Sequence, residues 1–101
     1  MKFDDYEIKF VTDTYAMDGS SYIGAYTTDG EFYGDITVCI PFMARENEII
    51  LDINNSPKII KEMIKRKLIS ETGNTVSSGY CVYPTAKVTD KFYEEVFKWE
   101  E

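Results

Sequence analysis

Tyr22-Ile23-Gly24-Ala25-Tyr26-Thr27-Thr28-Asp29-Gly30-Glu31-Phe32-Tyr33-Gly34-Asp35-Ile36-Thr37-Val38-Cys39-Ile40 is the stretch on which the fold turns. Two runs rich in aromatic and β-branched residues, Tyr22 to Thr28 and Glu31 to Ile40, meet at Asp29-Gly30. Asp-Gly tolerates the positive φ that a tight reversal needs, so the pair predicts a β-hairpin. Gly34 inside the second arm predicts a bulge or a close backbone contact. Pro41, with no N–H to give a ladder, ends the arm.

Upstream of the hairpin, Tyr6, Ile8 and Phe10 alternate with Asp5, Glu7 and Lys9. That is the period of a half-buried strand, expected over Asp5 to Val11. A polar break holding the turn signal Asp18-Gly19 follows. Downstream, Ile49, Leu51 and Ile53 share one face of a strand expected over Glu48 to Ile53. Asn54-Asn55-Ser56-Pro57 then marks a helix start, with serine as the N-cap and proline at the first helical position. Ile59, Ile60, Met63, Ile64 and Leu68 fall on one face of that helix, and Lys58, Lys61, Lys65, Arg66 and Lys67 on the other.

Thr72-Gly73-Asn74 is expected to close this segment and open a loop. Residues Ser78 to Val88 read as one extended run broken at Pro84, a proline suited to a strand edge or end. Asp90 is expected to cap a short terminal helix, Lys91 to Trp99, with Phe92, Tyr93, Val96 and Phe97 on one side. The order predicts an α+β fold. Residues 1–101 form one domain, an antiparallel sheet of about five strands covered by one main helix plus a short C-terminal helix.

A chain of 101 residues, 44% hydrophobic and 15% aromatic, can bury a core of its own without metal or disulfide staples, and is not a disordered composition. The eight tyrosines belong to a tyrosine-rich core or to a binding surface, and the core is the expectation here. The net charge is −7 and unevenly spread: residues 1–52 hold eleven acids against three bases. Such a field repels phosphate backbones and anionic membranes, so direct nucleic-acid or membrane binding is not expected. It suits a basic protein partner, including a nucleic-acid-binding protein whose groove it would occupy. Acidity also serves to keep a small protein soluble. The basic face of the helix reads as a solvated surface or as a contact for an acidic partner.

Catalytic and metal chemistry find little support. The chain has no histidine, which removes the commonest general base and the usual zinc and iron ligands. Cys39 and Cys81 lie in apolar runs with no metal-ligand spacing, and both are expected to be buried free thiols. The carboxylate pairs Asp4/Asp5, Glu46/Glu48, Glu94/Glu95 and Glu100/Glu101 sit at termini, in loops or on a solvent-patterned helix face. No catalytic residue, metal or cofactor is therefore expected. The opening residues Met-Lys-Phe-Asp-Asp lack an apolar leader, and no run approaches the roughly 20 apolar residues of a membrane span. A cytoplasmic location is expected.

One pattern runs from residue 14 to residue 84. It comprises Thr14-Tyr15-Ala16 with Asp18-Gly19, Asp29-Gly30-Glu31 leading to Ile36-Thr37-Val38, then Asp52, Asn54-Asn55 and Pro57. It closes with Thr72-Gly73 and Ser78-Gly79-Tyr80-Cys81-Val82-Tyr83-Pro84. This resembles a small domain-of-unknown-function family from phages and mobile elements of Gram-positive bacteria. The resemblance implies a genomic setting and no particular reaction. Small acidic proteins in that setting are often inhibitors of host defence, of anti-CRISPR or anti-restriction type.

The expected function is accordingly that of a non-enzymatic interaction protein that inhibits a host defence factor. Its acidic surface would include Asp13, Asp18, Asp29, Glu31 and Asp35. Asn54, Asn55, Tyr80 and Tyr83 would add one polar-aromatic surface, or would serve the alternative, a binder of small nucleotide-like molecules. An accessory domain with no inhibitory role is the plainest alternative.

Overall fold

A computed structural model of the protein describes residues 1–98. Strands β1 (Lys2–Phe3), β2 (Tyr6–Thr14), β3 (Ser21–Thr27) and β4 (Phe32–Asp35) form an antiparallel sheet in that order. The Asp29-Gly30 hairpin joins β3 to β4 as expected. Gly30 (φ 90) donates its N–H to Thr27 O at 2.9 Å, and Thr27 N donates to Glu31 O at 2.8 Å. Beside Gly34 the register slips, because Ala25 faces Gly34 while Tyr26 faces Phe32. Tyr33 is the extra residue of that bulge.

The expected strand over Asp5 to Val11 is longer and has a partner. Asp4 and Asp5, at φ 52 and 65, turn the chain so that β1 pairs with β2. Two consecutive left-handed residues make the reversal that matches strand twist, and Asp tolerates that region.

The single sheet expected from the sequence is in fact two. Strand β4 stops at Asp35, not at Ile40, because the chain then crosses to a second sheet. Ile36 N still donates to Ile23 O (2.9 Å), but Val38 N donates to Ile50 O (3.0 Å) and Thr37 bridges Leu51. The second sheet has the order β5-β7-β6, with β5 (Ile49–Ile50), β6 (Ile69–Ser78) and β7 (Cys81–Val88). The strand expected over Glu48 to Ile53 shrinks to β5, since its last residues take part in the crossing.

The loop expected after Thr72-Gly73-Asn74 is replaced by strand. Gly73 (φ 85) does not close a helix; it lies where the register of β6 against β7 shifts between Glu71 and Thr75. The run from Ser78 to Val88 is likewise not one strand. Ser78 pairs with Cys81, and Gly79 (φ 60) with Tyr80 makes the two-residue turn between β6 and β7. Pro84 lies inside the central strand. Its carbonyl accepts from Leu51 N at 3.0 Å, so its missing N–H also points away from β6 and leaves that ladder intact.

Helix α1 (Pro57–Lys65) buries Ile59, Ile60 and Met63 and exposes Lys58, Lys61 and Lys65. Ser56 occupies the N-cap position without capping, because its Oγ donates to Asp35 O at 2.6 Å instead. Lys67, at φ 62, turns the chain out of α1 towards β6. Helix α2 (Asp90–Phe97) begins at Asp90, so Thr89 and not Asp90 holds the N-cap position. Trp99, the expected end of that helix, lies outside the described residues, as do Glu100 and Glu101. The two helices are nearly equal in length, which removes the contrast between a main and a minor one.

The core is isoleucine-rich, not tyrosine-rich. Ile8, Ile23, Ile36, Leu51, Ile60, Met63 and Phe92 are fully buried, and Phe92 lies 5.3 Å from Phe10 across the contact of α2 with β2. No tyrosine is among the buried residues described. Each phenol needs a partner when buried, and β3 places its tyrosines on the face away from the core. Cys39 and Cys81 are free and half-buried, not buried as expected. No described helix is long and apolar enough to cross a membrane.

Candidate functional site

Period-2 alternation divides β2 and β3 into two faces. Ile8, Phe10, Ile23 and Ala25 point into the core, which sends Lys9, Val11 and Asp13 of β2, and Tyr22, Gly24 and Tyr26 of β3, to the outside. The register sets Asp13 opposite Tyr22, Gly24 opposite both Val11 and Asp35, and Tyr26 opposite both Lys9 and Phe32. Gly24 is what allows the Tyr22 ring to lie flat here, because a Cβ at Gly24 would collide with it. Tyr22 Oη then reaches Asp35 and donates to Oδ1 at 2.7 Å. Burial, followed by the bond to Asp35 and the nearby Tyr26, raises the Tyr22 phenol far above its ordinary value, so it remains a donor. Tyr15 meets Tyr22 edge-on at 5.5 Å, and Tyr26 meets Phe32 at the same distance.

Of the expected acidic residues, Asp35 holds Tyr22, while Asp13 faces Tyr22 across the ladder and its Oδ1 accepts from Thr14 N at 2.8 Å. Asp29 and Glu31 are exposed at the far end of the same hairpin, beside Phe32. Asp18 is not part of this face. Its Oδ1 accepts from Ser20 Oγ (2.7 Å) and Ser20 N (2.9 Å), and its Oδ2 accepts from Phe42 N (2.9 Å). These bonds, the Ser20 hydroxyl first, hold the Asp18 carboxyl below its ordinary value.

The expected asparagine-tyrosine surface is assembled only in part. Asn54 Nδ2 donates to Tyr83 Oη at 3.3 Å and to Cys81 Sγ at 3.5 Å. The hydrogen bond with Cys81, followed by burial, raises the Tyr83 phenol above its ordinary value. Asn55 is committed elsewhere, its Nδ2 donating to both oxygens of the buried Asp52 at 3.2 and 3.0 Å. Tyr80 stands fully exposed at the tip of the β6–β7 turn, apart from Asn54.

Sequence reasoning singled out neither Thr37 nor Phe42 nor Glu48 as a site residue. Thr37 Oγ1 accepts from Ile23 N (3.1 Å) and shares a hydrogen bond with Tyr15 Oη (2.8 Å), tying the crossing segment to β3. Phe42 is 79% exposed at φ 63, its N–H held by Asp18. The signal for it was the apolar pair Phe42-Met43 inside an otherwise charged loop. Glu48 is only 7% exposed and heads β5. Its Oε1 accepts from Thr85 Oγ1 (3.2 Å) and Asn74 Nδ2 (3.4 Å). Burial pushes this carboxyl up, yet bonds from Asn74, Thr85 and Thr72 and the charge of Arg45 outweigh that and hold it below its ordinary value. Burial of Glu48 was invisible in sequence because it depends on β6 and β7 closing over it.

Among the described residues, no three acids or cysteines gather closely enough to hold a metal ion. No curated protein and no solved structure matches the chain. The sequence model of a family described as a domain of unknown function (DUF4313) matches residues 10–97, from the middle of β2 to the end of α2. With most of its length matched, the chain belongs to the DUF4313 family.

Proposed function

We propose that this chain is a non-enzymatic interaction protein that binds a basic surface of a protein partner through the outer face of its first sheet. The observation that carries this reading is the Tyr22–Asp35 hydrogen bond on a face turned from the core, beside exposed Asp13 and the Tyr26–Phe32 pair. Rigid aromatic rings supply contact area at low entropic cost, and the fixed carboxylates select a cationic partner. In a phage or mobile-element setting, the partner is a host defence factor, and occupying its nucleic-acid groove would inhibit it.

Capture from a Gram-positive host lysate tests the proposal, with mass spectrometry identifying what is held. A nucleic-acid-handling host protein should be retained at low salt and released at about 0.5 M, where screening is nearly complete. It should also be lost on reversing the exposed charges, Asp13→Lys with Asp29→Lys. Retention indifferent to both salt and charge reversal would overturn the electrostatic mechanism.

A second reading rests on Asn54, which aims one amide group at both Tyr83 and Cys81. It makes the chain a binder of small nucleotide-like molecules. A rise in melting temperature with a nucleotide, lost in Asn54→Ala, would favour it. No shift with any common nucleotide would sink it.

A further inference from the structure

We infer that the lysine face of α1 is a docking surface for the β3–β4 hairpin tip of a second copy of this chain. Lys58, Lys61 and Lys65 share one exposed face, spaced three and four residues apart. Neighbours at that spacing stand about 5–6 Å apart, so like charges there repel and destabilise the helix. Among the described residues, none of the three has an ion pair or a side-chain hydrogen bond. The acid of α1, Glu62, is engaged with Arg66 at 3.3 Å. Lys58 is also misplaced for the helix itself. It sits in the first turn, where the helix dipole disfavours a cation, with no acid and no side-chain cap to offset it. A surface that breaks these local rules without gain to the fold is expected to be one that is used.

The complementary charge lies on the same chain. Asp29 and Glu31 flank Gly30 at the hairpin tip, both exposed and, among the described residues, both without an ion pair. The backbone bonds joining Thr27, Gly30 and Glu31 fix the turn that carries them. Their Cα atoms are at most about 7 Å apart, a span that matches one step of the lysine ridge. Within one chain the two groups do not pair: the hairpin belongs to the first sheet, and α1 packs on β6 of the second. Between chains they can. One copy's hairpin on the next copy's helix is a head-to-tail contact that leaves one surface of each kind free at the ends. Exposed ion pairs are individually weak and a net charge of −7 opposes association, so the contact is expected near the millimolar range. A nucleic acid is the poorer occupant, since it brings a denser negative charge to a chain that is already negative. The contact goes beyond the partner reading, which uses no residue of α1.

Amide NMR of the full ¹⁵N-labelled chain at up to about 1 mM reads a contact this weak. In the natural sequence, the amides of residues 29–31 and 58–65 should shift together as concentration rises. The triple variant Lys58→Gln, Lys61→Gln, Lys65→Gln and the double variant Asp29→Asn, Glu31→Gln should each lose that dependence. Gln is a good helix former and Asn-Gly a good hairpin turn, so both variants should fold. Loss in the double variant cannot come from added repulsion, because it lowers the net negative charge. Mixed, the two variants should recover the shifts, at residues 29–31 of the triple variant and 58–65 of the double variant. Assembly should stop at a one-to-one pair, since each variant retains one of the two surfaces. Spectra independent of concentration, or a mixture as silent as its components, would overturn the contact. A DNA duplex that shifts α1 while the mixture stays silent would also overturn it and give the lysine face to nucleic acid. The triple variant keeps Asp13, Asp29 and Asp35, so lysate capture with it tests the partner reading apart from this contact.

Discussion

At the scale of the residue, Thr37 shows how a small polar side chain decides a connection. It is 2% exposed, and its hydroxyl meets both Ile23 N and Tyr15 Oη. Replacing it with valine keeps the shape and leaves a buried N–H without an acceptor. Thr37→Val should therefore lower unfolding free energy by about 1–3 kcal/mol, measured by urea denaturation. Asp18 offers a pH test of the Phe42 loop. Its carboxyl is held below 3.8, so the stability it lends is present above that value and is lost as pH falls through the lower folded value. The Phe42 amide shift should follow the Asp18 titration, with a midpoint below the ordinary aspartate value, and a Phe42 amide indifferent to that titration would contradict the Asp18–Phe42 bond.

At the scale of the element, one glycine from each hairpin separates conformational from steric roles. A side chain at Gly79 would meet nothing within 4 Å, yet its φ is 60. Gly79→Ala should cost about 1–2 kcal/mol through the left-handed backbone alone. Gly24 is the reverse case, with an ordinary backbone but the Tyr22 ring above it. Gly24→Ala should displace that ring, abolishing the Tyr22–Asp35 bond while preserving the sheet. Near-ultraviolet circular dichroism would report the loss, with far-ultraviolet signal unchanged. The first hairpin was legible because Asp29-Gly30 interrupts two patterned runs. The second was not, because Gly73 after a helix looks like a stop signal, and only the pairing with β7 turns it into a bulge.

At the scale of the whole molecule, two sheets share one core through the crossing at residues 35–38. Asp52 N donates to Ile36 O (2.9 Å) while Ile36 N bonds β3, so one residue belongs to both sheets. Ile36 is fully buried, and Ile36→Ala should cost about 2–5 kcal/mol. Hydrogen exchange should then rise equally in β3 and β7, and loss confined to one sheet would show that the crossing does not couple them.

What the sequence by itself determined is everything carried by local periodicity and turn chemistry. The inward Ile8 and Phe10 of β2, the first hairpin, the apolar set of Ile59, Ile60 and Met63, and Phe92 and Val96 of α2 follow from residues a few positions apart. Tyr6, Tyr93 and Phe97, expected on the same apolar sides, are exposed instead. The tertiary structure alone decided that there are two sheets, that the tyrosines lie outside the core, and that Asn54 meets Tyr83. It also decided that Glu48 is buried. Each of these depends on which strands pair and which element closes over which side chain. Those contacts join residues twelve or more positions apart, and no local pattern encodes them.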